Sequence, residues 1–309
     1  MDTDDGTGKT VFLQKFVSTN AAELVEKEFE ELHFLFDPIL PSVGLAMLAG
    51  QPKTGKSWFC LDIAQVLTDE GSSVFYIAAE DNERRLQSRL KAKSFSNPQN
   101  LKLHAGLSQK QPIPRGSDAL TYLRELHDAF KPDCIIIDTV SSILNPSASN
   151  KHYDVTVWEY ELLRKLAADL KVAILVVHHT KKTTDVVQTP LEKILGSTGI
   201  TATVETLLVL QNVPGTMDRT LHVTGKDVEQ AEFHLSWNGA GYNFSKDAAE
   251  AALGPTQRMV FDYVKEHPRC EQVRISKGLC KDQGQISKIL AQLVERGVLI
   301  KMGDAYSAL

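Results

Sequence analysis

Residues 50–57 read GQPKTGKS, a fit to GxxxxGK[ST]. This pattern restricts the fold as well as the chemistry. It works only where a strand ends, a loop wraps and a helix begins, because backbone N–H groups and the helix N-terminus must converge on one anion. The flanks supply both elements. GLAMLAG (44–50) is a short apolar run, and SWFCLDIAQVLTD (57–69) has helical spacing, with Phe59, Ile63, Val66 and Leu67 toward one side. Gly50 and Gly55 let the loop wrap. Lys56 is long enough to reach β- and γ-phosphates, and the Ser57 hydroxyl suits Mg²⁺. Gln51, Pro52, Lys53 and Thr54 complete the loop and Trp58 follows it, so Gly50 to Trp58 form the expected nucleotide-holding set. A second GKT, Gly8-Lys9-Thr10, has Thr3 where the first glycine belongs and no strand before it, and reads as a tail.

Three further apolar segments end in polar groups. SSVFYIAAED (72–81) reads as a strand whose end carries Glu80 and Asp81. DCIIIDT (133–139) is an apolar strand ending in Asp138, a Walker B pattern in which the carboxylate holds Mg²⁺. KVAILVVHHT (171–180) ends in His178-His179-Thr180. Polar groups at successive strand ends imply one shared site at the sheet edge where doubly wound folds bind ligands. Thr139 follows Asp138, so the acidic pair common in AAA+ and ABC ATPases is missing, and no NKxD motif is present to read guanine.

The chain resembles the RepA-like RecA-type ATPases of plasmids and phages, relatives of the DnaB hexameric helicases. GQPKTGKS, FYIAAEDNERRLQSRL, IIIDT, VVHHTKK and LHVTGKDVE carry the resemblance, which covers roughly residues 40 to 235. It implies an α/β fold: a RecA-type P-loop NTPase core in a ring, most simply a homohexamer, with ATP and Mg²⁺ bound between subunits. By position, Glu80 is the implied general base and Arg89 lies where the family places an arginine against that base. His179 or His178 is the implied γ-phosphate sensor. The family often reads TGRDV where this chain has TGKDV. Lys226 therefore stands at the arginine-finger position, keeping the charge but not the planar fork. NPSASNKHYD (145–154) and KKTTDVVQTPLEKILGSTG (181–199) are the expected channel-facing loops. There Lys151, His152, Lys181 and Lys182 are candidates for contact with single-stranded DNA.

The remaining segments suggest four parts: residues 1–38 as tail and arm helix, 39–244 as core, 245–255 as linker and 256–309 as a winged helix-turn-helix. AAELVEKEFEELHFLF (21–36) reads as an amphipathic arm helix. TQRMVFDYVKEHP, EQVRISKGLC and DQGQISKILAQLVERG read as three helices. The last buries Ile286, Ile289, Leu290 and Leu293, exposes Gln283, Gln285, Ser287 and Lys288, and stops at Gly297. VLIKMGDAYSAL alternates as a hairpin. Residues 255–309 hold nine Lys/Arg against six Asp/Glu, whereas the whole chain is −5. That asymmetry is modest; it is the winged-helix reading that gives the last domain duplex DNA or a replication protein as its expected partner. No apolar run reaches about 18 residues and the N-terminus lacks a signal-peptide layout, so a cytoplasmic protein without a membrane partner is expected. The four cysteines form no CxxC pair; Cys60 and Cys134 fall in apolar runs and are expected as reduced core residues. Two functions follow: a replicative helicase that translocates on single-stranded DNA, or a nucleotide-switched DNA-binding accessory without motor activity.

Overall fold

The computed structural model describes residues 19–29, 32–107, 112–144, 152–180, 198–245, 255–295 and 298–308. Lys151, Lys181 and Lys182, the second GKT, Gly297 and most of the expected linker lie outside these residues, as does the side chain of His152. The chain divides into two units, Met1–His33 and Phe34–Leu309.

In the first unit, helix α1 spans only Ala21–Val25, its N-terminus closed by the Asn20 side chain accepting from Glu23 N–H at 2.9 Å. The helix expected over 21–36 is thus one short turn. Leu24, Val25 and Phe29 are exposed, and a stretch this short without a buried face cannot offset the cost of helix nucleation. The segment Phe34–Phe36, also expected as helix, is instead strand β1, paired antiparallel with β2 (Leu40–Pro41).

The centre of the second unit is a nine-stranded sheet. In chain order its strands are β3 (Gly44–Gly50), β4 (Val74–Ala78), β5 (Leu101–Ala105), β6 (Cys134–Asp138), β7 (Ala173–His179), β8 (Thr206–Asn212), β9 (Arg219–Gly225), β10 (Ala231–Trp237) and β11 (Tyr242–Ser245). Their spatial order is β11-β10-β9-β8-β3-β7-β6-β4-β5. The strands from β8 to β5 in that order are parallel; β9, β10 and β11 add antiparallel. Helices α2 (Lys56–Asp69), α3 (Glu83–Ala92), α4 (Ser117–Phe130), α5 (His152–Leu170) and α6 (Thr198–Thr203) connect the parallel strands.

The strands read as continuous apolar runs because both faces are covered. Side chains alternate across the sheet, so Ala46 and Leu48 of β3 join Phe59, Leu61 and Ile63 of α2 in one core layer. Leu45 and Met47 join Leu123 of α4 and Leu163 and Leu166 of α5 in the other. The buried face of α2 is wider than its periodicity suggests. Leu61, Ala64 and Thr68 are buried as well as Phe59, Ile63 and Leu67, while Val66 is half-buried. Cys60, Cys134 and Cys270 are buried free thiols, and Cys280 is an exposed one.

Register fixes which groups meet. Gly50 pairs with His179, and Ala78 pairs with Asp138. The ends of β3, β4, β6 and β7 therefore share one edge. Strand β9 runs the other way: Arg219 pairs with Asn212 at that edge, and Gly225 pairs with Thr206 at the opposite one.

The last elements are helices α7 (Pro255–Glu266), α8 (Gln272–Gly278) and α9 (Gln283–Glu295), with short strands β12 (Cys270–Glu271), β13 (Leu299–Met302) and β14 (Ala305–Ala308). The strands form an antiparallel sheet in the order β12-β14-β13. Val260, Phe261, Ile275, Ile286, Leu290, Leu293 and Leu299 share a separate core. Gln283, Gln285, Ser287 and Lys288 of α9 are exposed. No helix among the described residues is long and apolar enough to cross a membrane.

Candidate active site

The loop between β3 and α2 is held from several sides. Gly55 has φ +91°, a left-handed conformation that lets the chain turn into the helix, and Lys53 has φ 66°. A Cβ at Gly50 would lie 2.7 Å from the Leu210 carbonyl oxygen. One at Gly55 would collide with the Tyr242 hydroxyl. Both glycines are therefore required by packing, and Gly55 by the turn as well. The Thr54 hydroxyl donates to the Gln51 carbonyl at 2.9 Å. Lys56 folds back over the loop, its Nζ donating to the carbonyls of Gly50 at 2.9 Å and Gln51 at 2.8 Å. Burial lowers its pKa from 10.5 to about 8, opposed by the charge of Asp138.

Asp138 closes β6 and is 6% exposed. The Tyr76 hydroxyl donates to its Oδ2 at 2.8 Å, and the Ser57 hydroxyl lies beside it. Burial raises its pKa, and these two hydroxyls pull it down. Ser57 and Asp138 thus form an oxygen-only pair beside the loop, a donor set that fits a hard divalent cation such as Mg²⁺.

Strand β4 ends at Ala78, so Glu80 and Asp81 lie in the turn just beyond it. They point to different partners. Glu80 Oε1 accepts from the Thr139 hydroxyl at 2.9 Å, and its Oε2 lies 3.5 Å from His179 Nε2. Asp81 is 6% exposed and takes Arg85 Nη1 at 2.9 Å together with Arg89 Nη1. Arg89 is therefore placed against Asp81, not against Glu80, because the buried carboxylate of the pair is the one that requires a cation. The guanidinium of Arg89 also stands 5.7 Å from the centre of the Trp58 ring.

The two histidines separate by strand alternation. The His178 ring meets the Tyr160 hydroxyl at 3.1 Å on the α5 side, and burial lowers its pKa. His179 faces Glu80. Together Lys53, Gly55, Lys56, Ser57, Trp58, Glu80, Asp81, Arg85, Arg89, Asp138 and His179 line one cleft of ≈ 350 Å³. Lys226 does not belong to it. It is exposed in the turn after β9, at the opposite edge of the sheet, with its N–H donating to the Glu205 carbonyl at 2.9 Å.

Some of this was invisible to sequence reasoning. Tyr242 comes from β11, with its N–H donating to Asp62 Oδ2 at 2.9 Å, and Asp62 is in turn paired with Lys93. Burial raises the Asp62 pKa to about 6, against the pull of Lys93. Arg219 comes from β9. No local motif marks either residue, because the contacts span more than 160 positions. Thr139 did carry a signal, standing directly after Asp138.

A phosphate loop, a buried carboxylate and a tethered glutamate along one edge of a mixed sheet define an α/β RecA-like ATPase core. A family model described as an AAA domain matches residues 10–185, and the chain belongs to that family. The DNA repair protein RadA of Chlamydia pneumoniae is 26% identical over 145 residues, covering 46% of this chain and 29% of that protein. This chain therefore spans under two thirds of RadA's length. A solved structure of an ATPase domain superposes with a TM-score of 0.57 at 13% identity, covering 79% of this chain and all of that one.

Proposed function

We propose that the protein is a Mg²⁺-dependent ATPase of the RepA/DnaB-like type. It hydrolyses ATP between subunits of a ring, in the simplest case a homohexamer, and translocates on single-stranded DNA during plasmid or phage replication. The observation that carries the reading is Glu80, held by Thr139 and facing His179, in the same cleft as Lys56 and Asp138.

The loop N–H groups and the α2 N-terminus bind the β-phosphate. Lys56 leaves the Gly50 and Gln51 carbonyls for the phosphate oxygens. Ser57 and Asp138 hold the cation, which when bound neutralises phosphate charge. Glu80 takes the proton of the attacking water. The Thr139 hydroxyl fixes one oxygen of Glu80 and leaves the other for this task, while His179 senses the γ-phosphate. Lys226 lies too far from its own cleft and serves the neighbour's. The last three helices and their hairpin act as a winged helix that docks on duplex DNA or a replication protein, with Gln283, Gln285, Ser287 and Lys288 of α9 facing the partner.

A second reading is favoured by Lys226 itself. Lacking the bidentate fork of an arginine, it suits slow turnover in a nucleotide-switched accessory of replication or recombination. The similarity to a protein named for DNA repair points the same way. Hydrolysis by wild type and Glu80→Gln, with and without single-stranded DNA, separates the readings when run beside unwinding of a forked duplex. DNA-stimulated hydrolysis that Glu80→Gln abolishes, together with unwinding, supports the motor. Slow hydrolysis indifferent to DNA leaves the switch.

A further inference from the structure

Arg219 opens β9 at the edge of the sheet where the phosphate loop lies, and it is 7% exposed. Its Nε donates to the Thr54 carbonyl at 2.6 Å. Its Nη1 donates to the carbonyls of Met217 at 2.7 Å and Asp218 at 2.6 Å. The guanidinium carbon stands 5.6 Å from the centre of the Tyr242 ring, whose hydroxyl seats against Gly55. None of the ion pairs among the described residues includes Arg219. The nearest carboxylate in sequence, Asp218, is engaged elsewhere, accepting from Trp237 N–H at 2.9 Å and facing His234 Nε2 at 3.4 Å. A buried cation bonded only to carbonyls is an unfavourable arrangement, and an anion nearby offsets its cost.

We propose that Arg219 is a positioning residue for triphosphate binding, acting through the Thr54–Gly55 peptide; this rests on the ATPase reading above. In a trans peptide the C=O and the next N–H point in opposite directions. A guanidinium that draws the Thr54 oxygen outward therefore aims the Gly55 N–H inward, toward the phosphates. The charge-assisted bond also polarises that peptide and makes the Gly55 N–H a better donor, since hydrogen bonds in series strengthen one another. Tyr242 caps the same glycine, so the two residues clamp the loop at its tightest turn. Arg219 itself touches no substrate.

The test measures ATP, ADP and pyrophosphate dissociation constants, and KM against kcat, for wild type, Arg219→Ala and Arg219→Lys. The unfolding midpoint of each protein is recorded without ligand. The expected result for Arg219→Ala is a loss of about tenfold or more in affinity for all three ligands. KM for ATP should rise in step while kcat at saturation stays within about threefold, the mark of lost ground-state binding. Methylguanidinium at millimolar concentration should recover part of the lost affinity, whereas Arg219→Lys should recover little, because it lacks the fork. Affinities within about twofold of wild type would overturn the proposal. So would an affinity loss that methylguanidinium leaves unchanged and that tracks a lowered ligand-free midpoint. If Arg219→Ala fails to fold, Arg219→Met, which keeps most of the side-chain length but has no donor for Thr54, carries the same comparison. A wild type that binds no ATP would instead remove the ATPase reading.

Discussion

The hydroxyl of Thr139 donates to Oε1 of Glu80 across two neighbouring strand ends, at 2.9 Å. The residue that follows the buried carboxylate thus orients the glutamate one strand away. The Thr139 hydroxyl also meets Ser141 Oγ at 2.7 Å, so its own orientation is fixed. Thr139→Val keeps the shape and removes the donor. Hydrolysis should fall about tenfold with ATP affinity unchanged, against a fall of about 10²-fold or more for Glu80→Gln. Single-turnover hydrolysis beside equilibrium binding reads both, and equal defects in the two assays would remove Thr139 from this role.

Lys56 gives the site a pH dependence. Burial holds its pKa at about 8, and a bound polyphosphate must raise it. Binding therefore takes up a proton above pH 8, and ATP affinity should fall by about tenfold between about pH 7 and pH 9. Calorimetry in buffers of different ionisation enthalpy detects that proton. The sign for the ligand-free fold is the reverse. The folded pKa lies below the ordinary lysine value of 10.5, so folded protein binds fewer protons between pH 8 and 10.5. The cost of burying this lysine is full below pH 8 and fades as pH rises through that window.

The two histidines should separate in assays as they do in space. His179→Ala should lower hydrolysis and leave the unfolding midpoint near that of wild type. His178→Ala strands the Tyr160 hydroxyl and should cost about 1–3 kcal/mol of stability. A swap of the two phenotypes would reverse the assignment.

Gly55→Ala should abolish nucleotide binding. The new methyl group meets Tyr242 at a backbone position of φ +91°. Tyr242→Phe should not rescue it, because ring carbons remain at 3.0 and 3.1 Å from that Cβ. Recovery of binding in the double variant would show that the hydroxyl alone was the obstacle.

If Lys226 completes a neighbour's site, two inactive variants should complement each other. Lys226→Ala and Lys56→Ala mixed in equal amounts should regain about a quarter of wild-type hydrolysis, the share of interfaces that receive both intact groups. No recovery on mixing would place Lys226 outside the chemistry.

Much of the site could be read from the chain because it is local. The loop is a run of consecutive residues, and Glu80, Asp138 and His179 each follow an apolar run that parallel pairing must bring to one edge. The alternation that turns His178 away from the cleft is also a sequence property, but the strand register that decides it is not. The partner of Arg89 could not be read, because Glu80 and Asp81 are adjacent and only burial distinguishes them. Arg219 and Tyr242 were illegible for another reason. Each reaches the loop from the antiparallel strands added to the sheet after the parallel ones, Arg219 from β9 beside β8 and Tyr242 from β11 at the outer edge, and no short motif records that placement. The apolar spacing of the arm is helical beyond the five residues that form α1, but periodicity alone cannot supply a surface to bury it.

Strand β9 has Arg219 at one end, on the subunit's own phosphate loop, and leads directly into Lys226 beyond the other. Its seven residues span about 20 Å and are bonded on both sides, to β8 and β10. If Lys226 serves the next subunit, this strand is a ruler. The gap between consecutive triphosphates would then be set by the length of one strand inside each subunit, and mutations that loosen subunit contacts could break the assembly without changing that spacing.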